Sequence, residues 1–248
     1  MNILLTNDDG INATGIKSLA AHLGQIGHVS IVAPDRERSA VGHALTLHHP
    51  LRAVKLDTDI FAVDGTPTDC VNLGIHRLLP VKPDIVISGI NHGANLGDDI
   101  TYSGTVCAAM EATLMGIPAF AISLSTNGES DNFVPAASFA AKLASIIMQQ
   151  RLPSDTFLNV NVPNISHEFL KPPLITSQGK RSYEGMIIDK VDPRGRNYYW
   201  IGSVDMNFHD IEGTDFYAVS RGHISITPLH LDFTNYHSFR ELKEWDFS

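Results

Sequence analysis

Short apolar runs alternate with helical patterns over about the first 160 residues, and this alternation limits what the chain can fold into. The runs cover residues 2–6, 29–33, 84–87, 117–123 and 156–162. They are largely apolar on successive residues, as in strands whose two faces are both covered. The intervening helical patterns, at 15–23, 105–115 and 135–150, supply the covering layers. The alternation predicts a Rossmann-like α/β core, with a mainly parallel sheet and helices on both faces.

The composition changes after residue 162, where Tyr, Asn, Asp and turn sequences such as DPRG at 192–195 become frequent. We predict strands at 174–176, 197–201 and 223–227 in a smaller antiparallel or subunit-bridging element, and a terminal helix at 235–245. The chain therefore divides into a Rossmann-like core at 1–162 and a C-terminal extension at 163–248 with β-hairpin elements. We expect the extension to take part in oligomerisation and part of it to complete the core.

The charge balance disfavours several classes of partner. The 248 residues include 18 Lys and Arg against 27 Asp and Glu, a formal net charge of −9. Such a chain lacks the basic surplus that binds nucleic acid or an anionic membrane. It also lacks a signal-peptide pattern and any apolar run of about 18 residues, so we expect a cytoplasmic protein. Its two cysteines, Cys70 and Cys107, have no CxxC spacing and are predicted to be buried free thiols.

Polar loops follow the predicted strands, and their contents indicate a metal site. Asp8 and Asp9 follow the first strand, Ser39 lies in the loop after the second, and Asn91 follows the strand at 84–87. The carboxyl ends of parallel strands share one edge of a sheet, so these side chains should converge. Adjacent carboxylates repel each other, and a hard cation such as Mg²⁺ or Mn²⁺ relieves the repulsion. Alternatively, NDDG at 7–10 is only a tight turn.

The start of the helix at 105–115 is a candidate phosphate site. Ser103, Gly104 and Thr105 would supply backbone N–H groups, hydroxyls and the positive end of the helix dipole. Asn95, in the preceding loop, is a further candidate contact to the substrate. The alternative is an ordinary helix cap, since Ser and Thr prefer that position.

Other residues carry weaker signals. His43, His48 and His49 suggest zinc, but neither a partnering Cys nor an HExxH pattern accompanies them, so we expect ordinary histidines. Tyr102, Tyr183 and His92 are candidates for stacking on a nucleobase, and none of them defines a base preference.

Long sequence blocks resemble the SurE (survival protein E) family of metal-dependent nucleotidases. They are NDDGINATGI at 7–16, SAVGHALTLHHPLR at 39–52, SGINHGANLGDDITYSGTVCAAMEA at 88–112, DPRGRNYYWIG at 192–202 and TDFYAVSRGHISITPL at 214–229. The resemblance implies a Rossmann-like core and a smaller C-terminal region that exchanges elements between subunits. It puts the metal ligands on Asp8, Asp9, Ser39 and Asn91, the set already expected from the residues.

The resemblance implies hydrolysis of nucleoside 5′- and 3′-monophosphates, and of short polyphosphate in some members. We expect one divalent cation per subunit, Mg²⁺ or Mn²⁺, with Asp8 and Asp9 as catalytic residues, in a homodimer or homotetramer. Water is the expected nucleophile, because Asp8 and Asp9 are adjacent rather than spaced as in phospho-aspartyl enzymes. The alternative function is a sensor that binds nucleotide without hydrolysing it.

Overall fold

The computed structural model describes residues 1–126, 131–181, 187–201 and 208–247. The strands are β1 Asn2–Thr6, β2 His28–Pro34, β3 Ala53–Asp57, β4 Ile60–Val63, β5 Ile85–His92, β6 Ala119–Ser125, β7 Thr156–Pro163, β8 Lys171–Ile175, β9 Ile187–Val191, β10 Asn197–Ile201 and β11 His223–His230. The helices are α1 Thr14–Leu23, α2 Pro67–Leu73, α3 Gly104–Leu114, α4 Val134–Gln150, α5 Asp215–Ser220 and α6 Phe239–Leu242. A π-helical turn at Gly74–Leu78 extends α2, and 3-10 turns lie at Gly97–Thr101, His167–Phe169 and Tyr236–Ser238.

Nine strands form one sheet in the order β3-β4-β2-β1-β5-β6-β7-β11-β8. All pairings from β4 through β7 are parallel. β3 lies antiparallel to β4 at one edge, and β11 lies antiparallel to β7 near the other. The mainly parallel Rossmann-like sheet is therefore confirmed.

Helices cover both faces of the sheet, as predicted. On one face, Leu19 of α1 and Leu143 of α4 belong to the same buried cluster as Leu5 and Ile87 of the strands. On the other face, α2 and α3 pack through small residues, among them Ala108 and Ala112 of α3. The small alanine side chains let α3 lie close to the sheet. The start of α3 contacts Asp8, which follows the carboxyl end of β1.

Two strands predicted for the smaller C-terminal element belong to the main sheet instead. β11 pairs with β7 over six residue pairs, and β8 pairs with β11. The polar side chains of this edge satisfy one another, because the Thr176 hydroxyl lies 2.7 Å from Ser225 Oγ and 2.8 Å from Thr227 Oγ1. Among the residues that the structure describes, only β9 and β10 form a separate two-stranded sheet. The division of the chain at residue 162 stays a prediction.

The end of the chain is less helical than the sequence indicates. The 3-10 turn at Tyr236–Ser238 and the single α-helical turn α6 occupy the stretch predicted as a helix at 235–245. No helix within the described residues is long and apolar enough to cross a membrane. Cys70 and Cys107 are free and buried, as predicted.

Candidate metal and phosphate site

Asp8 lies at the carboxyl end of β1 and faces the start of α3. Its side chain is buried, with the residue 4% exposed. The Thr105 backbone N–H donates to Asp8 Oδ2 over 3.2 Å, and the Thr105 hydroxyl donates to Oδ1. Burial raises the pKa of Asp8 although these hydrogen bonds favour its charged form. The Asp8 carboxylate is therefore held in place, but these hydrogen bonds only partly offset the cost of burying its negative charge.

Gly104 allows α3 to start against this carboxylate. A Cβ atom at position 104 would lie 3.0 Å from Asp8 Cβ and 3.1 Å from Asp8 Oδ2. Ser103 caps the helix, since its hydroxyl accepts from the Val106 N–H over 3.1 Å. The sequence Ser-Gly-Thr thus joins a helix cap, a close approach and a hydrogen-bond donor to Asp8.

Asp9 follows directly and is half-buried. Its Oδ2 accepts from the His92 backbone N–H over 3.0 Å, which ties it to the end of β5. Burial raises the pKa of Asp9 to about 6, and the charges of Asp8 and Glu37 add to the rise. Two neighbouring carboxylates, both with raised pKa values, thus lie at the end of β1.

Asn91 comes from the irregular end of β5. The register with β6 shifts between Gly89 and Asn91. Gly89 has φ +140°, and a Cβ there would meet Ile122 O at 2.2 Å, so only glycine fits this bend. The Asn91 Nδ2 donates to Gly93 O over 2.9 Å, which leaves Oδ1 for a ligand.

The segment carrying Ser39 is anchored beside Asp8. The Arg38 backbone N–H donates to Asp8 O over 2.7 Å. Ser39 itself is exposed, and its hydroxyl donates to Glu37 Oε1 over 2.7 Å. This bond uses the hydroxyl proton and leaves the lone pairs of Ser39 Oγ for a metal ion.

Asn95 is buried and committed to the ends of β6 and β7. Its Nδ2 donates to Ser123 Oγ over 2.8 Å, and its backbone N–H donates to Asn161 Oδ1 over 2.8 Å. Its carbonyl oxygen accepts from the side chains of Asn159 and Asn161. These bonds fix the path of the loop, and direct contact between Asn95 and a substrate stays a prediction.

Three groups of buried polar residues support the site and were missed by sequence reasoning. Glu111 on α3 accepts from Asn72 Nδ2 over 2.6 Å and lies 2.6 Å from His43 Nε2. Asp69 caps α2 and also accepts from the Thr46 N–H and hydroxyl. The Asp215 carboxylate accepts from the Gly97 and Gly179 N–H groups over 2.7 and 2.8 Å.

Two of these groups left a signal in the sequence. Thr66-Pro67-Thr68-Asp69 has capping-box spacing with Pro at the first helical position. Glu111 is the only acidic residue in an alanine-rich helix, and a buried acid needs partners.

The three residues predicted as candidates for stacking on a nucleobase have different surroundings. Tyr102 is exposed at the start of α3. His92 Nε2 pairs with Asp131 Oδ2 at 2.8 Å. Tyr183 lies outside the described residues.

A family model described as "Survival protein SurE" matches residues 3–185. The chain belongs to the SurE family. A "5'-nucleotidase SurE" from Geotalea daltonii is 69% identical over 246 residues, covering 99% of both chains, and one from Geotalea uraniireducens is 70% identical over the full length of both. The crystal structure of a SurE protein from Aquifex aeolicus covers 98% of both chains at 46% identity, with a TM-score of 0.89.

The donors present in this SurE chain fit a hard divalent cation. Within the described residues, no three His, Cys, Asp or Glu side chains converge on a metal position. The predicted ligands Asp8, Asp9, Asn91 and Ser39 offer carboxylate, amide and hydroxyl oxygens. Such an all-oxygen set suits Mg²⁺ or Mn²⁺.

Proposed function

We propose that this chain is a metal-dependent 5′-nucleotidase that releases phosphate from nucleoside monophosphates. One observation carries the proposal: at the carboxyl edge of the sheet, the start of α3 holds Asp8 and the end of β5 holds the adjacent Asp9. Relatives about as long as this chain and 69–70% identical to it are named 5'-nucleotidase SurE. Activity on 3′-monophosphates and on short polyphosphate is part of the same proposal.

Asp8, Asp9, Ser39 and Asn91 are the proposed ligands of one divalent cation per subunit, Mg²⁺ or Mn²⁺. When bound, such a cation polarises a phosphoryl oxygen and lowers the pKa of a nearby water molecule. Asp8 and Asp9 act by holding two negative charges at the strand ends, each fixed by a hydrogen bond from a neighbouring element.

The start of α3 is the proposed phosphate contact. Thr105 is already engaged with Asp8, so its proposed role is to orient that carboxylate. Gly104 N–H and the Ser103 hydroxyl remain for the phosphate oxygens. The helix dipole favours the anion there, and hydrogen-bond donors set in place before the reaction stabilise its developing charge.

We also propose that the protein is a homo-oligomer, a dimer or a tetramer. Apolar side chains of the hairpin are exposed in the single chain, among them Ile187, Trp200 and Ile201. A two-stranded hairpin is marginally stable alone in water, so contact with a second subunit would stabilise it.

The deciding experiment measures phosphate release from 5′- and 3′-nucleoside monophosphates and short polyphosphate, with Mg²⁺, Mn²⁺ or EDTA. Asp9→Asn keeps the shape of the side chain and removes one charge. We expect metal-dependent release that EDTA abolishes and that Asp9→Asn lowers by about 100-fold or more. Asp155→Asn is the matched control, because Asp155 is exposed in a turn with φ +55°, which Asn tolerates.

The competing sensor hypothesis makes the opposite prediction. A sensor would bind nucleotide in the presence of metal and release no phosphate from any substrate. That result would overturn the proposed hydrolase.

A further inference from the structure

Two cavities flank the metal and phosphate site along the carboxyl edge of the sheet. A cavity of about 400 Å³ lies at the ends of β2 and β4 and is lined by charged groups, including Asp35, Arg36 and Arg38. On the opposite side, a cavity of about 460 Å³ lies at the ends of β5 and β6 and is lined largely by apolar groups. We call the second one the Phe208 cavity. A substrate whose phosphate sits at α3 has these two directions along the edge for its remaining part.

The Phe208 cavity has an aromatic wall. The rings of Phe208 and Phe216 are stacked, with centroids 5.0 Å apart and planes inclined by 11°. Phe216 is buried, whereas Phe208 is partly exposed. The Arg181 guanidinium lies 5.7 Å from the Phe216 ring centroid and pairs with Asp99 at 2.6 Å. A flat aromatic surface with hydrogen-bonding groups beside it is suited to a nucleobase.

The cavity begins beside one of the proposed metal ligands. Gly93 lines the cavity, and its carbonyl oxygen accepts from Asn91 Nδ2 over 2.9 Å. The Gly93 N–H donates to Leu124 O, which fixes this rim to β6. The cavity therefore opens two residues along the chain from a proposed metal ligand. Its volume lies within the roughly 300–1,000 Å³ typical of small-molecule sites.

We propose that the Phe208 cavity binds the nucleoside part of the substrate, with the base packed against Phe208. This proposal rests on the proposed nucleotidase function and adds the residue that makes the enzyme favour nucleotides over other phosphomonoesters. The 400 Å³ cavity is a poorer site for a base. A base packed there would remove water from the charged side chains that line the cavity, which is energetically costly.

A third cavity provides the competing location. It has about 660 Å³, lies between α3 and β11, and is lined by Met110, Leu229 and Phe233, among others. Phe233 is 83% exposed. A phenylalanine in each cavity allows a matched comparison.

The test compares Phe208→Ala, Phe208→Leu and Phe208→Tyr with the control Phe233→Ala. Each is assayed with adenosine 5′-monophosphate and with ribose 5-phosphate, which carries no base. We expect Phe208→Ala and Phe208→Leu to raise KM for the nucleotide by roughly 10- to 100-fold, the range for loss of one base–aromatic stack. Their kcat/KM for ribose 5-phosphate should stay within about twofold, and Phe208→Tyr should retain nucleotide affinity.

Three results would overturn the proposal: equal losses with both substrates, no change in either, or a nucleotide-specific loss in Phe233→Ala instead. If the wild type hydrolyses neither compound, the nucleotidase proposal fails separately. Calorimetric binding of adenosine 5′-monophosphate then decides the cavity. Weaker binding by Phe208→Ala than by the wild type supports it, and equal binding overturns it.

Discussion

Asp9 makes the stability of the metal-free protein depend on pH. Burial is the main cause that raises its pKa to about 6, against about 3.9 in an unfolded chain. Between these two pH values Asp9 is protonated in the folded protein and ionised in the unfolded chain. The stability that comes from this protonation is therefore present at low pH and is lost as pH rises through about 6.

This loss of stability with rising pH predicts how the Asp9→Asn variant behaves in EDTA. The variant cannot ionise at this position, so its unfolding free energy should exceed that of the wild type, by a margin that widens from pH 4.5 to pH 8. Excess Mn²⁺ at pH 8 should stabilise the wild type more than the variant. Urea unfolding at the two pH values measures this, and a margin independent of pH would contradict it.

Gly104→Ala tests how closely α3 must approach Asp8. The new Cβ would crowd the carboxylate at 3.0–3.1 Å, so Asp8 has to shift by a few tenths of an ångström. We expect kcat/KM to fall by about tenfold or more, because small displacements of catalytic groups are costly. The unfolding free energy should change by no more than about 1 kcal/mol, since alanine also favours the helix.

Gly24→Ala is the matched control, because Gly24 has helical backbone angles at the end of α1. Steady-state kinetics and urea unfolding on both variants separate the effects. A large loss of stability in Gly104→Ala without loss of activity would contradict the expected role.

Among elements, α3 serves two parts of the site. Its first turn holds Asp8, and Glu111 in its third turn lies 2.6 Å from His43, in the loop that also carries Ser39. The hydrogen bond from His43 is the main cause that lowers the pKa of Glu111. The helix therefore connects two of the proposed metal ligands.

Glu111→Ala should loosen that connection. We expect a loss of about 2–4 kcal/mol in unfolding free energy, because His43 and Asn72 lose their hydrogen bonds to a buried carboxylate. The Mn²⁺ concentration for half-maximal activity should rise several-fold. His43→Ala should also raise this Mn²⁺ concentration. The double variant should add little to the effect of either change, since both changes remove the contact between Glu111 and His43. Additive effects in this cycle would contradict the proposed role of the contact between Glu111 and His43.

The central elements could be predicted because each strand is apolar on both faces. β3 was missed because AVKLD is an exposed edge strand that alternates apolar and charged residues. The short helices α2 and α5 were missed because seven and six residues are too few to show a helical period. In the site, the aspartates stand out as polar residues after an apolar strand. The contact of His43 with Glu111 joins residues 68 positions apart, and no local pattern indicates it.

At the scale of the whole molecule, the two tryptophans can report assembly. Trp200 of β10 and Trp245 near the C-terminus are 65% and 57% exposed in the single chain. We expect their fluorescence to shift to shorter wavelength as protein concentration rises, because assembly would bury apolar side chains of the extension. Trp200→Phe and Trp245→Phe assign the shift to the hairpin or the tail. Sedimentation equilibrium measures the assembly itself, and a monomer at all concentrations would contradict the proposed oligomer.

The antiparallel pairing of β11 with β7 has a consequence for synthesis of the chain. β7 ends at residue 163 and its partner begins at 223, so 60 further residues must be made before the pair can form. At roughly 5–20 residues per second, the ribosome needs about 3–12 s for that distance. During this interval the hydrogen-bonding edge of an apolar strand has no partner within the nascent chain, and such an edge promotes aggregation. Slow elongation between these two strands should therefore lower the yield of folded protein.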